Sequence, residues 1–243
     1  MHFRLLAAGL AALVLQGCSG DAAGPEPDNR AQVRLASASP DAGALDLLIR
    51  GRTIARRVGS TQASRPVAVE TGPATGEVRA SNAAAVLATV PLTLEAGRSY
   101  TVVVAGPRHS LMAMVSVDTG LSGPPVPPPP SVDSGNPPPP APDYARFRIV
   151  HAAPHAPPLD PYLQPADVAL DTVPAFLPFA YGSLALIGDM LRPAGDYTVA
   201  FTEASTRRVV LDSGKITATV GELLTVVLGE NADRSLRVDV VRE

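Results

Sequence analysis

Tryptophan is absent from this 243-residue chain, and tyrosine and phenylalanine contribute only five residues each. Sugar-binding surfaces commonly stack pyranose rings on aromatic side chains, so this scarcity counts against a glycan platform. A single cysteine, Cys18, excludes an internal disulfide. Lys215 is the one lysine among 20 basic residues, a bias that reads as GC-rich coding rather than a demand for guanidinium groups. The formal charge of −3 makes no general case for nucleic-acid binding. Catalytic signatures are missing as well. No Gly-x-Ser-x-Gly elbow occurs, and "GRTIARRVG" (Gly51–Gly59) lacks the lysine and the glycine spacing of a phosphate loop. Ser60 and Ser183 follow glycine in similar turns, but no histidine recurs beside them, and His109 stands alone. The sequence therefore points to no enzyme, no cofactor and no catalytic residue.

What is present begins at the N-terminus. His2 and Arg4 precede an apolar run, Leu5–Leu15, of 11 residues. That is too short to span a bilayer and has the length of a secretory signal core. The run ends in Leu15-Gln16-Gly17-Cys18. This resembles the processing site of bacterial lipoproteins. The resemblance implies a signal peptide over residues 1–17 and a Cys18 that carries a diacylglycerol thioether and an N-linked acyl chain such as palmitate. Several acyl chains give stable anchoring where one is marginal. Ser19 in place of aspartate implies the outer membrane, with the chain facing the periplasm or the exterior. Residues 18–30 then form a lipidated tether.

Gly123–Pro142, "GPPVPPPPSVDSGNPPPPAP", is too dense in proline for a helix or a central strand and reads as an extended spacer within a linker at 121–144. It separates 31–120 from 145–243, and these halves resemble each other. "AQVRLASASPDAGALDLL" from Ala31 and "ARFRIVHAAPHAPPLDPY" from Ala145 agree at seven of 18 positions. "VGS" at Val58–Ser60 corresponds to "YGS" at Tyr181–Ser183, and "EAGRSYTVVVAG" (Glu95–Gly106) to "TVGELLTVVLGE" (Thr219–Glu230). Landmarks in one order at one spacing imply a duplicated unit.

Within each half the hydrophobic period is two. Phe147 and Ile149 alternate with Arg146 and Arg148, and Leu236, Val238 and Val240 alternate with Arg237 and Asp239. The apolar set is expected inward and the charged set toward solvent. "DLLIRGRTIA" (Asp46–Ala55) predicts a hairpin turning at Arg50-Gly51. "SNAAAVLA" (Ser81–Ala88) has helical propensity but strand-like neighbours. The fold expected is all-β: two tandem antiparallel sandwiches of immunoglobulin-like type joined by the proline-rich linker.

The motif "HAAPHAPPLD" (His151–Asp160) is the main candidate for chemistry. Histidines four apart chelate a metal from one face of a helix, but Pro154, Pro157 and Pro158 exclude a helix here. In an extended segment the two lie about 13 Å apart. The first half places Ser37 and Asp41 at the histidine positions, whereas Pro40, Ala42, Leu45 and Asp46 correspond to Pro154, Ala156, Leu159 and Asp160. Asp46 and Asp160 are therefore read as acceptors for loop amides. Metal binding through His151, His155 and Asp160 is the alternative. A glycan reading would use Tyr162, Phe176, Phe179 and Tyr181.

"RFRIVHAAPHAPPLDPY", "AYGS", "LRPAGDYTVAF" and "GELLTVVLGE" together resemble the domain of unknown function 4397, an extracellular bacterial and archaeal module. The second half matches at His151, Pro154, Ala156, Pro157, Asp160, Tyr162, Tyr181, Gly182, Ala194, Gly195 and Tyr197. The first departs, with Ser37, Gly43, Leu48 and Val58 where histidine, proline and tyrosines are usual. The resemblance implies an exported β-sandwich and no activity. The reading that follows is a lipid-anchored envelope module that binds without catalysis. Its partners are the membrane through Cys18 and an envelope protein or glycan.

Charge is uneven between the halves. Ala31–Gly106 holds eight arginines against five acids, and Ala145–Glu243 nine basic residues against twelve acids. The cluster Arg50, Arg52, Arg56, Arg57 and Arg65 is either a solvated hairpin, a contact for anionic lipid, or a face for the acidic half.

Overall fold

A computed structural model describes residues 29–118, 143–170, 180–182, 190–231 and 233–243. Cys18, residues 19–28 of the tether, residues 121–142 of the linker, Phe176, Phe179 and Ser183 lie outside them, whereas Arg30 and Tyr144, expected in tether and linker, begin strands. The described residues are all-β apart from short turns of 3-10 helix, one of them at Arg108–Ser110. No helix among them is long and apolar enough to cross a membrane.

In the first half, β1 (Arg30–Ala38) leads to a hairpin, β2 (Leu45–Ile49) and β3 (Arg52–Val58). Arg50 and Gly51 both have positive φ, +50° and +75°. That is the handedness of a two-residue hairpin turn matched to strand twist, and glycine at the second position accepts it without steric cost. The chain then passes through β4 (Gln62–Ala63), β5 (Val67–Glu70), β6 (Gly72–Ala80), β7 (Val86–Leu94), β8 (Ser99–Ala105) and β9 (Met112–Asp118). "SNAAAVLA" is a turn running into β7, because Val90, Leu92 and Leu94 further along that strand bury on its inner face.

Two sheets result. The outer sheet has the order β3-β2-β6-β7, and the inner sheet β4-β1-β8-β9, with β5 also paired to β1. Between them lie Val33, Leu35, Leu47, Ile49, Val78, Leu92, Val102 and Val104. All pairings in this half are antiparallel except β1 with β8, which run parallel with Arg34 opposite Thr101. A parallel pair needs a long crossover, and here the whole outer sheet serves as one.

The described residues from 143 onward follow a similar plan with β10 (Tyr144–His151), β11 (Leu159–Pro165), β12 (Met190–Pro193), β13 (Gly195–Glu203), β14 (Val209–Ala218), β15 (Leu223–Glu230) and β16 (Leu236–Arg242). The inner sheet is β12-β10-β15-β16 and the outer β11-β13-β14. Here β10 and β15 are the parallel pair, with Arg148 opposite Thr225. Their core holds Phe147, Ile149, Leu163, Val199, Phe201, Leu224, Val226 and Leu228. Phe147 meets Tyr197 edge to face, centroids 5.0 Å apart, an arrangement that adds to simple burial.

The two inner sheets lie back to back. Ala36, Ala38, Val103, Ala105 and Met114 from the first half pack with Val150, Ala152, Val227 and Val241 from the second. Among the described residues, four sheets therefore enclose three apolar layers. Alternation alone sends Arg148, Arg237 and Asp239 to solvent; the structure corrects this. Arg148 is 3% exposed, and Arg237 donates from Nη2 to the carbonyl of Ala38 across the interface at 2.9 Å. The second face of each inner sheet is covered, which is why β8 and β15 read as nearly continuous apolar runs.

Candidate functional site

The proline-rich loop leaves β10 at His151. That imidazole is fully buried. Its Nδ1 lies 3.4 Å from the Ala153 amide and its Nε2 3.4 Å from the Pro157 carbonyl. Both ring nitrogens thus face the loop's own backbone, Nδ1 accepting and Nε2 donating. Burial pushes the imidazole pKa down and keeps the ring neutral.

His155 is tied to a different group. Its Nδ1 stands 2.7 Å from Glu230 Oε1, and its amide donates to Glu230 Oε2 at 3.1 Å. Glu230 closes β15 and is 2% exposed. The histidines therefore serve two sites: one ring braces the loop from inside, and the other clamps it to the strand end. No group of three or more His, Cys, Asp or Glu side chains gathers to hold a metal ion among the described residues.

The aspartates sit at the starts of strands β2 and β11, one position after Leu45 and Leu159. Asp46 Oδ1 accepts the Arg57 amide at 2.8 Å and the Ser81 hydroxyl at 2.6 Å. Arg57 has φ +55° and lies where β3 carries extra residues against β2, between the pairs Leu45–Val58 and Leu47–Ala55. Asp46 thus pins a β-bulge and the turn that follows β6. Asp160 Oδ2 accepts the Ser205 amide at 2.8 Å, in the turn after β13, where Ser205 has φ +61°. Asp46 holds the bulge of the neighbouring strand and Asp160 the turn after its neighbour, so the amides they accept are remote in sequence and do not belong to the proline loop.

Tyr162 lies in β11 opposite Ala200 and is 2% exposed. It lies on the face of β11 opposite the core residues Leu159 and Leu163, and a ring so buried offers no face to a sugar. Of the four aromatic positions considered for a glycan, Tyr181 is the exposed one among the described residues. Ser60 is an exposed turn residue and His109 lies exposed in the 3-10 turn. A cleft of about 570 Å³ opens beside β13, lined by Asp167, Asp196, Tyr197 and Lys215 among others. Two of its charged groups are paired with each other: Lys215 Nζ is 2.6 Å from Asp196 Oδ2, and Thr217 donates to Asp196 Oδ1.

The most concentrated polar cluster is one that alternation concealed. Arg34 on β1 and Arg148 on β10 meet Asp118 at the end of β9 and Glu243 just past β16. Arg34 Nη2 lies 2.9 Å from Asp118 and 2.7 Å from Glu243. Arg148 Nη2 lies 2.6 Å from Asp118, and its Nη1 3.6 Å from Glu243. Thr101 donates to Asp118 at 3.1 Å and Thr225 to Glu243 at 2.6 Å. Side-chain exposures are 12%, 3%, 7% and 0% for Arg34, Arg148, Asp118 and Glu243. Each half supplies one cation, one carboxylate and one hydroxyl, closing a ring in the interface between the inner sheets. A signal for it exists in the sequence: Arg34 and Arg148 match between halves, as do Thr101 and Thr225.

Residues 31–126 match the family model described as Domain of unknown function (DUF4397). The match falls on the half whose motifs depart further from the pattern. No curated protein matches the chain. Two solved structures are similar at low level. One is the crystal structure of CBMbc (family CBM26) from Eubacterium rectale Amy13K in complex with maltoheptaose, with 9% identity, 88% of this chain and 96% of that chain covered, and a TM-score of 0.25. The other is the Bacillus anthracis TIE protein, with 8% identity, 88% and 43% covered, and a TM-score of 0.23. Likenesses at that level carry no functional weight. The DUF4397 model covers the first of the two halves and names no activity.

Proposed function

We propose that this protein is an exported, outer-membrane lipoprotein, acylated at Cys18, that acts as a non-catalytic binding module for a partner in the envelope. In this reading the folded part consists of two copies of one unit of about 90 residues. Support for duplication comes from the parallel pairs β1–β8 and β10–β15, which place Arg34 against Thr101 and Arg148 against Thr225 in equivalent registers.

The observation that carries the binding reading is the buried ring of Arg34, Asp118, Arg148 and Glu243. It commits the strongest charged groups to joining the halves into one rigid body. The aspartates and histidines of the loop motif are likewise spent on holding backbone. A rigid scaffold with exposed loops loses little conformational freedom when a partner docks. Pro157 and Pro158, exposed at the tip of the proline loop, lie on such a loop.

Two measurements test this. Labelled palmitate should enter the wild-type chain and be lost in Cys18→Ser; equal labelling of both rejects the anchor. A photo-crosslinker at position 158 should give one discrete adduct in intact envelopes. Diffuse or absent adducts there and at other exposed loop positions reject the binding reading.

A further inference from the structure

Strand β3 forms one edge of the first half's outer sheet. Along it Arg52, Arg56 and Arg57 are exposed. The chain then turns through Gly59–Thr61, where the Gln62 amide bonds to the Gly59 carbonyl, and pairs β4 with the edge of the inner sheet. Arg65 follows, exposed, between Ala63 and Val67, whose β1 partners are Ala36 and Val33. The four arginines thus line the side of the sandwich where the chain passes from one sheet to the other. None has a side-chain hydrogen bond or ion pair among the described residues, and that sets them apart from their neighbours. Arg50 donates to the carbonyls of Glu70, Thr71 and Pro73, Arg79 pairs with Glu77, and Arg98 pairs with Glu95.

A charged, bulged edge discourages pairing with another strand, and part of this pattern serves that end. Edge protection does not account for Arg65, which lies beyond the turn beside the other sheet. Position along the chain adds a second observation. Strand β1 begins at Arg30, 12 residues after Cys18. Fully extended, those residues span at most about 40 Å. Arg65 sits opposite the stretch of β1 between Val33 and Ala36, about 10–20 Å along the strand from Arg30. The cationic side is therefore within reach of any surface that holds Cys18.

We infer that Arg52, Arg56, Arg57 and Arg65 form a contact face for anionic lipid headgroups, orienting the first half against the membrane to which Cys18 is attached. This rests on the reading of Cys18 as the anchor. The positive charge of these arginines draws them to anionic phosphate groups, an attraction that lysine shares. Each arginine near an anionic surface multiplies local residence about fivefold.

The test uses the full-length acylated protein on vesicles of phosphatidylcholine alone and of phosphatidylcholine with phosphatidylglycerol. Co-sedimentation with both reports the anchor. Amide exchange over residues 52–65 reports the face. The expected result is exchange slowed about threefold or more on the anionic vesicles relative to the neutral ones. The slowing disappears at high salt and in the variant Arg52→Gln, Arg56→Gln, Arg57→Gln, Arg65→Gln, and persists when the same positions carry lysine. Equal exchange on both vesicles overturns the inference, as does slowing that survives in the glutamine variant or is lost in the lysine variant. Failure to sediment with neutral vesicles counts against the anchor alone, and the face is then read from selective sedimentation with anionic ones.

Discussion

Arg34 and Arg148 come from different halves of the molecule and reach the same carboxylate: Nη2 of each lies within 2.9 Å of an Asp118 oxygen. Glu243 closes the arrangement from the opposite side. Pairing in a low-dielectric interface offsets the desolvation of four charges only while every partner stays in place. Arg148→Ala should therefore cost about 3–5 kcal/mol in urea unfolding, because it strands buried carboxylates. Replacing Arg34, Arg148, Asp118 and Glu243 together by methionine and leucine should be neutral or stabilising. A quadruple variant as unstable as the single one would reject this account of the ring.

Asp46 and Asp160 make a second pair of matched contacts, each to the amide of a residue with positive φ, Arg57 and Ser205. Removing either carboxylate leaves a backbone donor to find water at a strained position. Asp46→Ala should destabilise by about 1–3 kcal/mol and accelerate amide exchange at Arg57. Asp160→Ala should do the same at Ser205. Unchanged exchange at both amides would show that the aspartates hold nothing there.

The strand content, the Arg50-Gly51 hairpin and the inward faces of β10 and β16 were legible because period-two alternation and turn chemistry are local. Three features were not. The parallel pairing of β1 with β8 depends on a crossover through a whole sheet, which local pattern does not encode. The burial of Arg148, Arg237 and Asp239 follows from a second covered face, and alternation alone assigns charged residues to solvent. The role of Asp46 and Asp160 was half legible. Their recurrence marked them as acceptors, but their amide donors come from a strand bulge and a turn 11 and 45 residues away in sequence, out of reach of a motif reading.

His151 provides a pH test. Burial lowers its pKa from 6.5 in the folded state. The unfolded chain therefore binds more protons than the folded one once the pH falls below about 6.5. Stability should decline on acidification through that region and level off only below the folded pKa. The slope attributable to this one group is at most about 1.4 kcal/mol per pH unit. His151→Gln should flatten the wild-type stability profile below about pH 6.5. Its stability at pH 8 is a separate quantity, set by how well the amide replaces the contacts to Ala153 and Pro157. Identical slopes in the two proteins would mean that folding leaves the proton affinity of His151 unchanged.

The last prediction concerns how the oppositely charged halves stay together. If long-range attraction between the basic first half and the acidic second half dominated, salt would separate them, since exposed charges are screened beyond about 8 Å at physiological ionic strength. The contact seen is of another kind. Val103, Val150, Val227 and Val241 fill the space between the inner sheets, and the ion ring beside them is shielded from solvent. Apolar burial is not weakened by simple salt, and buried pairs are screened much less than exposed ones. Small-angle scattering of the protein should therefore give the same radius of gyration at low and high sodium chloride. Val227→Asp places an unpaired carboxylate in that layer, a change of the kind that costs several kcal/mol. It should expand the molecule while the strand signal in circular dichroism persists, because Val227 points away from the second half's own core. Expansion of the wild type with salt, or a compact Val227→Asp variant, would show that the apolar layer is not what joins the two halves.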